Sequence, residues 1–102
     1  MDDCRYHSAM IKSFANKETA ALFAGLRVRR YGADWADIAR RKLTQIHAAI
    51  EVESLRLPPG NRLEKLVGDR AGQWSIRINA QWRICFAWVD GNAHDVEIAD
   101  YH

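Results

Sequence analysis

Residues 73–88, QWSIRINAQWRICFAW, decide the fold of this 102-residue chain. The stretch holds two alternating runs joined by Asn79 and Ala80. In the first, Trp74, Ile76 and Ile78 face one way and Ser75 and Arg77 the other; in the second, Trp82, Ile84, Phe86 and Trp88 oppose Arg83, Cys85 and Ala87. Period-two alternation of β-branched and aromatic residues marks half-buried antiparallel strands. Asn79-Ala80 is the expected two-residue hairpin turn, since Asn tolerates left-handed geometry. One face then carries the core and the other carries Arg77 and Arg83.

Working outward, VDGN (89–92) turns the chain again and AHDVEIADY (93–101) supplies a last strand. Upstream, RLEKLV (62–67) alternates as a further strand, and GDRAG (68–72) is turn chemistry. The adjacent prolines of SLRLPPGNR (54–62) cannot continue a helix, so everything before them is a separate element. That element is helical. Asn16 is an expected N-cap for a helix over 17–26 with Ala20, Leu22, Phe23 and Leu26 at helical spacing. Gly32 interrupts, and Asp34 is the expected cap of a second helix whose Trp35, Ile38, Ala39, Leu43, Ile46, Ala49 and Ile50 recur at i, i+3, i+4, i+7. Arg40, Arg41 and Lys42 fall on or beside its wet face, and His47 receives no catalytic role. IKSF (11–14) is short enough for one edge strand, and residues 1–9 read as a polar, disordered leader. The expectation is an α+β domain over 10–102: two N-terminal helices packed on one face of a small antiparallel sheet.

Composition bounds the function. The chain has room for one modest core, no apolar run near the ~20 residues that span a bilayer, and no signal-peptide pattern at its start, so a cytoplasmic protein is expected. Cys4 and Cys85 form neither a disulfide framework nor a metal-spaced pair, and Cys85 reads as a small core residue. Eleven arginines against four lysines give a basic body ahead of an acidic tail with Asp90, Asp95, Glu97 and Asp100. Guanidinium forks suit phosphate, so a polyanionic partner is expected. Against this stands an ordinary solvated basic face, and Arg77 has the further alternative of pairing with Glu64 or Asp69. Trp74, Trp82 and Trp88 read as packing, and His94 as an exposed residue near a turn.

The chain ends in Asp100-Tyr101-His102. If the last strand lies beside the one carrying Arg83, these residues join Arg83 and Arg77 in one cluster. RNA is cut by its own 2′-hydroxyl when a base, a proton donor for the leaving 5′-oxygen and positive charge on the phosphorane are supplied. Asp, Tyr and His can move the protons and Arg can supply the charge. No metal-ligand spacing, Gly-rich phosphate loop or Ser-His-Asp set competes, and no cofactor is expected.

PPGNRLEKLVGDRAGQWSIRINAQWRICFAW followed by a terminal DYH resembles the HigB/GraT branch of the RelE/ParE-like bacterial toxins, the plasmid maintenance system killer proteins, over Met10 to His102. The resemblance implies a microbial RNase-like fold and a ribosome-dependent mRNA endonuclease acting in the A site. It also implies a HigA-type helix-turn-helix antitoxin as partner, in a heterotetramer built on an antitoxin dimer. By the same resemblance Arg83 stabilises the transition-state phosphate and Asp100 and His102 share the proton transfers, with Tyr101 orienting the base or assisting. Arg77, Lys65, Arg62 and Arg70 are RNA-binding candidates, and the RVRR (27–30) and RRK (40–42) segments are expected to hold rRNA backbone with a salt-sensitive contribution. Two positions depart from the family pattern: Glu64 stands where a histidine is common and Val67 where a lysine is, with Lys65 as a displaced charge. The rival readings are a gyrase-directed ParE-like toxin and a non-catalytic RNA- or ribosome-binding module.

Overall fold

The computed structural model describes residues 10–100; the expectations for the leader and for Tyr101 and His102 lie outside them. Two helices, α1 (Lys17–Phe23) and α2 (Ala33–Ala48), precede four strands, β1 (Glu64–Lys65), β2 (Gln73–Arg77), β3 (Trp82–Val89) and β4 (Asn92–Asp100). The strands form one antiparallel sheet in the order β1-β2-β3-β4. The expected α+β arrangement is what the chain adopts. None of the helices described is long and apolar enough to cross a membrane.

Asn16 caps α1 by accepting from the Thr19 amide at 2.8 Å. The helix ends three residues earlier than expected, because Gly25 takes a φ of +94° and turns the chain away. Asp34 does not cap α2: Gly32 occupies the N-cap and Asp34 sits in the first turn, where its charge suits the helix N-terminus. The buried stripe of α2 is Trp35, Ala39, Leu43 and Ile46. Ile38 and Ile50, expected in that stripe, are exposed, the latter because it follows the helix end. Nor is the 40–42 run simply solvated. Arg40 Nε donates to the Leu22 carbonyl at the end of α1 (2.9 Å) and its Nη1 to Asp37, while Lys42 Nζ donates to the buried Asn61 side chain.

The core lies between the helices and one sheet face, with Ile76, Ile84, Phe86, Val96 and Ile98 from the strands meeting Leu22, Leu43 and Ile46. Trp82 stacks on Trp35 at 5.0 Å between ring centroids, and Tyr31 packs against both. These rings pack as the alternation of 82–88 predicts. Three expectations change. Of RLEKLV only Glu64–Lys65 is strand, followed by a 3₁₀ turn at Gly68–Arg70. The β2–β3 connection is not Asn79-Ala80 alone: the Ile78 amide still donates to the Trp82 carbonyl, and Asn79 Oδ1 accepts from the amides of Gln81 and Trp82, closing the wider loop. His94 is half-buried rather than exposed.

IKSF runs beside β4 as the expected extra edge, reduced to two parallel bridges, Ile11 to Ala93 and Phe14 to Val96. Between Cys85 and Ala87 the β3–β4 register slips, so that Asp95 and Val96 together face Phe86. Asp95 takes the positive φ (+54°) of this bulge, and its amide donates to Ser13 Oγ at 2.9 Å. The extra residue lets Ala93 and Val96, three apart, both point into the core.

Candidate functional site

Cross-strand partners share a face of a sheet, so the register assigns every candidate a side. On the face away from the helices, Glu64, Ser75, Cys85 and Glu97 make one row, and Arg77, Arg83 and Ala99 the next. Leu66, Cys85 and Ala99 form a second, smaller buried group there, so Cys85 is the core residue its position suggested.

Arg83 does not project into solvent as the alternation implied. Its side chain is 12% exposed, lying across β2. Its Nε donates to Ser75 Oγ at 2.8 Å, and its Nη2 donates to the Arg62 carbonyl at 2.8 Å and lies 3.4 Å from Glu64 Oε1. The Arg62 carbonyl reaches that position because Arg62 takes a left-handed φ of +46° after the prolines. Arg62, Leu63, Glu64 and Arg83 line a shallow hollow of about 350 Å³ at this corner. Glu64 pairs with Arg83, not with Arg77. Arg77 stands opposite Arg83 across the ladder and has no hydrogen-bond or ion-pair partner among the described residues. Behind it, Lys42 has its pKa lowered, first by burial and then by the charge of Arg77. Arg62 and Arg83 thus line the hollow, with Arg77 opposite Arg83 on the neighbouring strand.

The other candidates distribute differently. Arg70 closes the far side of the same face, Nη1 to Gln73 Oε1 (3.0 Å) and Nη2 to Glu97 Oε1 (3.2 Å). Lys65, in register with Trp74, belongs to the opposite face, with its ammonium 5.7 Å from the Trp74 ring centroid. Val67, where the family pattern has a lysine, follows β1 and is exposed. In the RVRR run Arg30 is occupied, bound to Glu18 at 2.9 Å and lying over Trp82.

Asp100 also departs from the expected cluster. It pairs with Trp82, on the helix-side face, and accepts from Gln81 Nε2 at 3.2 and 3.3 Å. Arg83 pairs with Ala99. The strand end does lie beside Arg83, but alternation turns Asp100 to the other side of the sheet. Tyr101 and His102 lie outside the described residues.

Sequence reasoning missed Ser75, Asn61 and Lys42. Ser75 is fully buried and anchors Arg83 diagonally across β2 and β3. Asn61, also fully buried, donates to the carbonyls of Leu55 and Leu57 and accepts from Lys42, holding the 54–62 loop in the shape that presents the Arg62 carbonyl. The usable signal was a polar residue at a strand position flanked by core, together with an Asn directly after Pro-Pro-Gly.

A family model for the RelE-like toxin of the type II toxin-antitoxin system HigB matches residues 12–102. The chain belongs to the HigB toxin family. It is 37% identical over 93 residues to the endoribonuclease HigB of Proteus vulgaris, covering 91% of this chain and all of that protein. It is 53% identical over 53 residues to toxin HigB-1 of Vibrio cholerae serotype O1, a match spanning 52% of this chain and 56% of that relative. Membership in a type II system implies an antitoxin partner for this HigB-family chain, as the sequence resemblance did.

Proposed function

We propose that this HigB-family toxin is a ribosome-dependent mRNA endonuclease of the cytoplasm, cutting RNA by attack of its own 2′-hydroxyl and thereby stopping translation. The observation that carries the reading is Arg83: a largely buried guanidinium, bound by Ser75 and the Arg62 carbonyl, at the edge of a hollow that Arg62 also lines. A preorganised cation is what a developing phosphorane dianion requires, because no reorganisation is needed at the moment of reaction. The name of the Proteus vulgaris relative, an endoribonuclease matched over its whole length, supports RNA cleavage. In this reading Arg83 holds the scissile phosphate and Arg77 and Arg62 the neighbouring ones. Arg70 adds positive charge farther along the face and Lys65 contacts backbone at the rim. Asp100, Tyr101 and His102 serve the proton transfers and base stacking. A helix-turn-helix antitoxin dimer binding two toxin chains holds the activity in check.

The test is mRNA cleavage mapped by primer extension in a reaction with purified ribosomes. The intact chain is compared with Arg83→Ala and with a form ending at Ala99. Ribosome-dependent cuts that vanish in both variants, with folding retained by circular dichroism, are the expected result; intact protein that binds ribosomes without cutting overturns the reading in favour of a binding module.

A further inference from the structure

We propose that the face formed by α2 and the 54–62 loop around Gln45 is the docking surface for the antitoxin, and that it takes an amphipathic segment carrying apolar side chains and carboxylates. The inference rests on the family membership above, which implies that partner, and adds where on this chain it sits.

Two shallow hollows meet at Gln45. One, of about 200 Å³, lies between Ile38, Arg41 and Lys42 of α2 and Pro58 of the loop. The other, of about 290 Å³, lies where α2 ends, among Ala48, Ile50 and Leu55. Ile38 is exposed on this face, and Ile50 and Leu57 are each 67% exposed. A single aliphatic side chain in water is ordinary, but several gathered around hollows on one face mark an interaction surface.

The exposure of Leu57 is built into the loop. Gln45 Nε2 donates to the Leu57 carbonyl at 2.6 Å, and the fully buried Asn61 donates to the carbonyls of Leu55 and Leu57 and to Gln45 Oε1. This network ties the loop to α2 while the Leu57 side chain faces water. A surface already fixed in this way loses little further freedom when a partner covers it.

Charge selects the occupant. Among the described residues, the charged groups lining the two hollows are Arg41 and Lys42, and no carboxylate lines either. Arg41 has no hydrogen-bond or ion-pair partner among the described residues. The acids closest in sequence are engaged: Asp37 binds Arg40 and Glu53 binds Arg56. An apolar floor with a cationic side fits a segment that presents aliphatic side chains with an Asp or Glu beside them. A second copy of this chain would bring the same cations to the interface with no carboxylate from the hollows to meet them. RNA would leave Ile50 and Leu57 unmatched, since nucleic-acid interfaces are polar and these hollows offer no aromatic ring to a base.

The experiment is calorimetric titration of the intact chain with its antitoxin, repeated for Ile50→Asp, Leu57→Asp, Arg41→Glu and Val89→Asp. Val89 is an exposed apolar residue at the end of β3, outside this face, and serves as the control. Circular dichroism and thermal melts check that each variant folds. Ile50→Asp and Leu57→Asp are each expected to raise Kd about 30-fold or more, as loss of an interface hot spot does, while Val89→Asp stays within about threefold. Arg41→Glu is expected to slow association about tenfold at low salt in biosensor kinetics, the difference shrinking as salt rises. Apolar variants that bind the antitoxin as tightly as the intact chain overturn the proposal and leave the partner in place. So does sedimentation that finds the intact chain dimeric and Leu57→Asp monomeric, which gives the face to a second copy. An intact chain that binds no antitoxin overturns the partner and the proposal with it.

Discussion

Two groups that carry no charge bind Arg83 directly. Its ion pair with the exposed Glu64 is worth little in solvent, whereas the Ser75 hydroxyl and the Arg62 carbonyl fix the fork where the side chain is buried. Ser75→Ala removes one acceptor and leaves Nε unpaired, so it is expected to cost about 1–3 kcal/mol in urea unfolding. The same variant is expected to slow cleavage by about tenfold or more with Arg83 still present, since each 1.4 kcal/mol of lost positioning is worth tenfold. Full activity in Ser75→Ala would mean that the orientation of Arg83 is set elsewhere. Arg83 was legible in the sequence because a cation in an alternating apolar strand stands out. Ser75 was not, because its role depends on the diagonal between two strands, and the diagonal exists only once the register is known.

At the level of elements, β4 shows why its two ends follow different alternations. Its first half pairs with β3 in one register and its second half in another, with Asp95 taken up as the extra residue. Deleting Asp95 removes the extra residue, so that Val96 pairs with Phe86 and Ala93, Val96 and Ile98 keep the core face in an unbroken alternation. The deletion is therefore expected to keep one sharp thermal transition, at a lower midpoint because the Asp95 amide's bond to Ser13 is lost; a broad, uncooperative melt would show that the fold depends on the bulge. Thr19 reinforces the arrangement: buried on α1, it accepts from the Ile98 amide at 3.0 Å on the side of β4 that no full strand covers. The sequence displayed the strand and the helix, but neither the bulge nor the hydroxyl that pins one to the other.

Across the whole molecule, the aromatic joint of Tyr31, Trp35 and Trp82 ties the start of α2 to the sheet. Burial raises the Tyr31 pKa above its ordinary 10.0, outweighing the hydrogen bond with Thr19. A phenol that stays protonated longer when folded contributes stability that is complete below the unfolded value and is lost as pH rises through the folded one. Stability is therefore expected to fall above about pH 10, and Tyr31→Phe to flatten that part of the fall, measured as urea midpoints against pH. Lys42 titrates in the same alkaline region with the opposite sign, since its lowered pKa lets the folded state shed a proton first. The comparison of Tyr31→Phe with the parent isolates the tyrosine. A parent whose midpoint holds steady above pH 10, or a variant whose midpoint falls as steeply, would remove Tyr31 from the account.

By itself the sequence determined the α+β class, the helix–sheet division at the prolines, the core face of β2 and β3, and Arg77 and Arg83 as the cations of the opposite face. Each of these is written in local periodicity or in a breaker residue, and needs only neighbours along the chain. The tertiary structure alone decided which groups stand beside Arg83. It brought in Ser75, Glu64 and the Arg62 carbonyl, turned Arg77 free of Glu64, and put Asp100 on the other side of the sheet. Those outcomes depend on register, on one bulge and on a left-handed residue after Pro-Pro-Gly-Asn. They are set by how distant segments pair, and alternation within a single strand carries no record of that pairing.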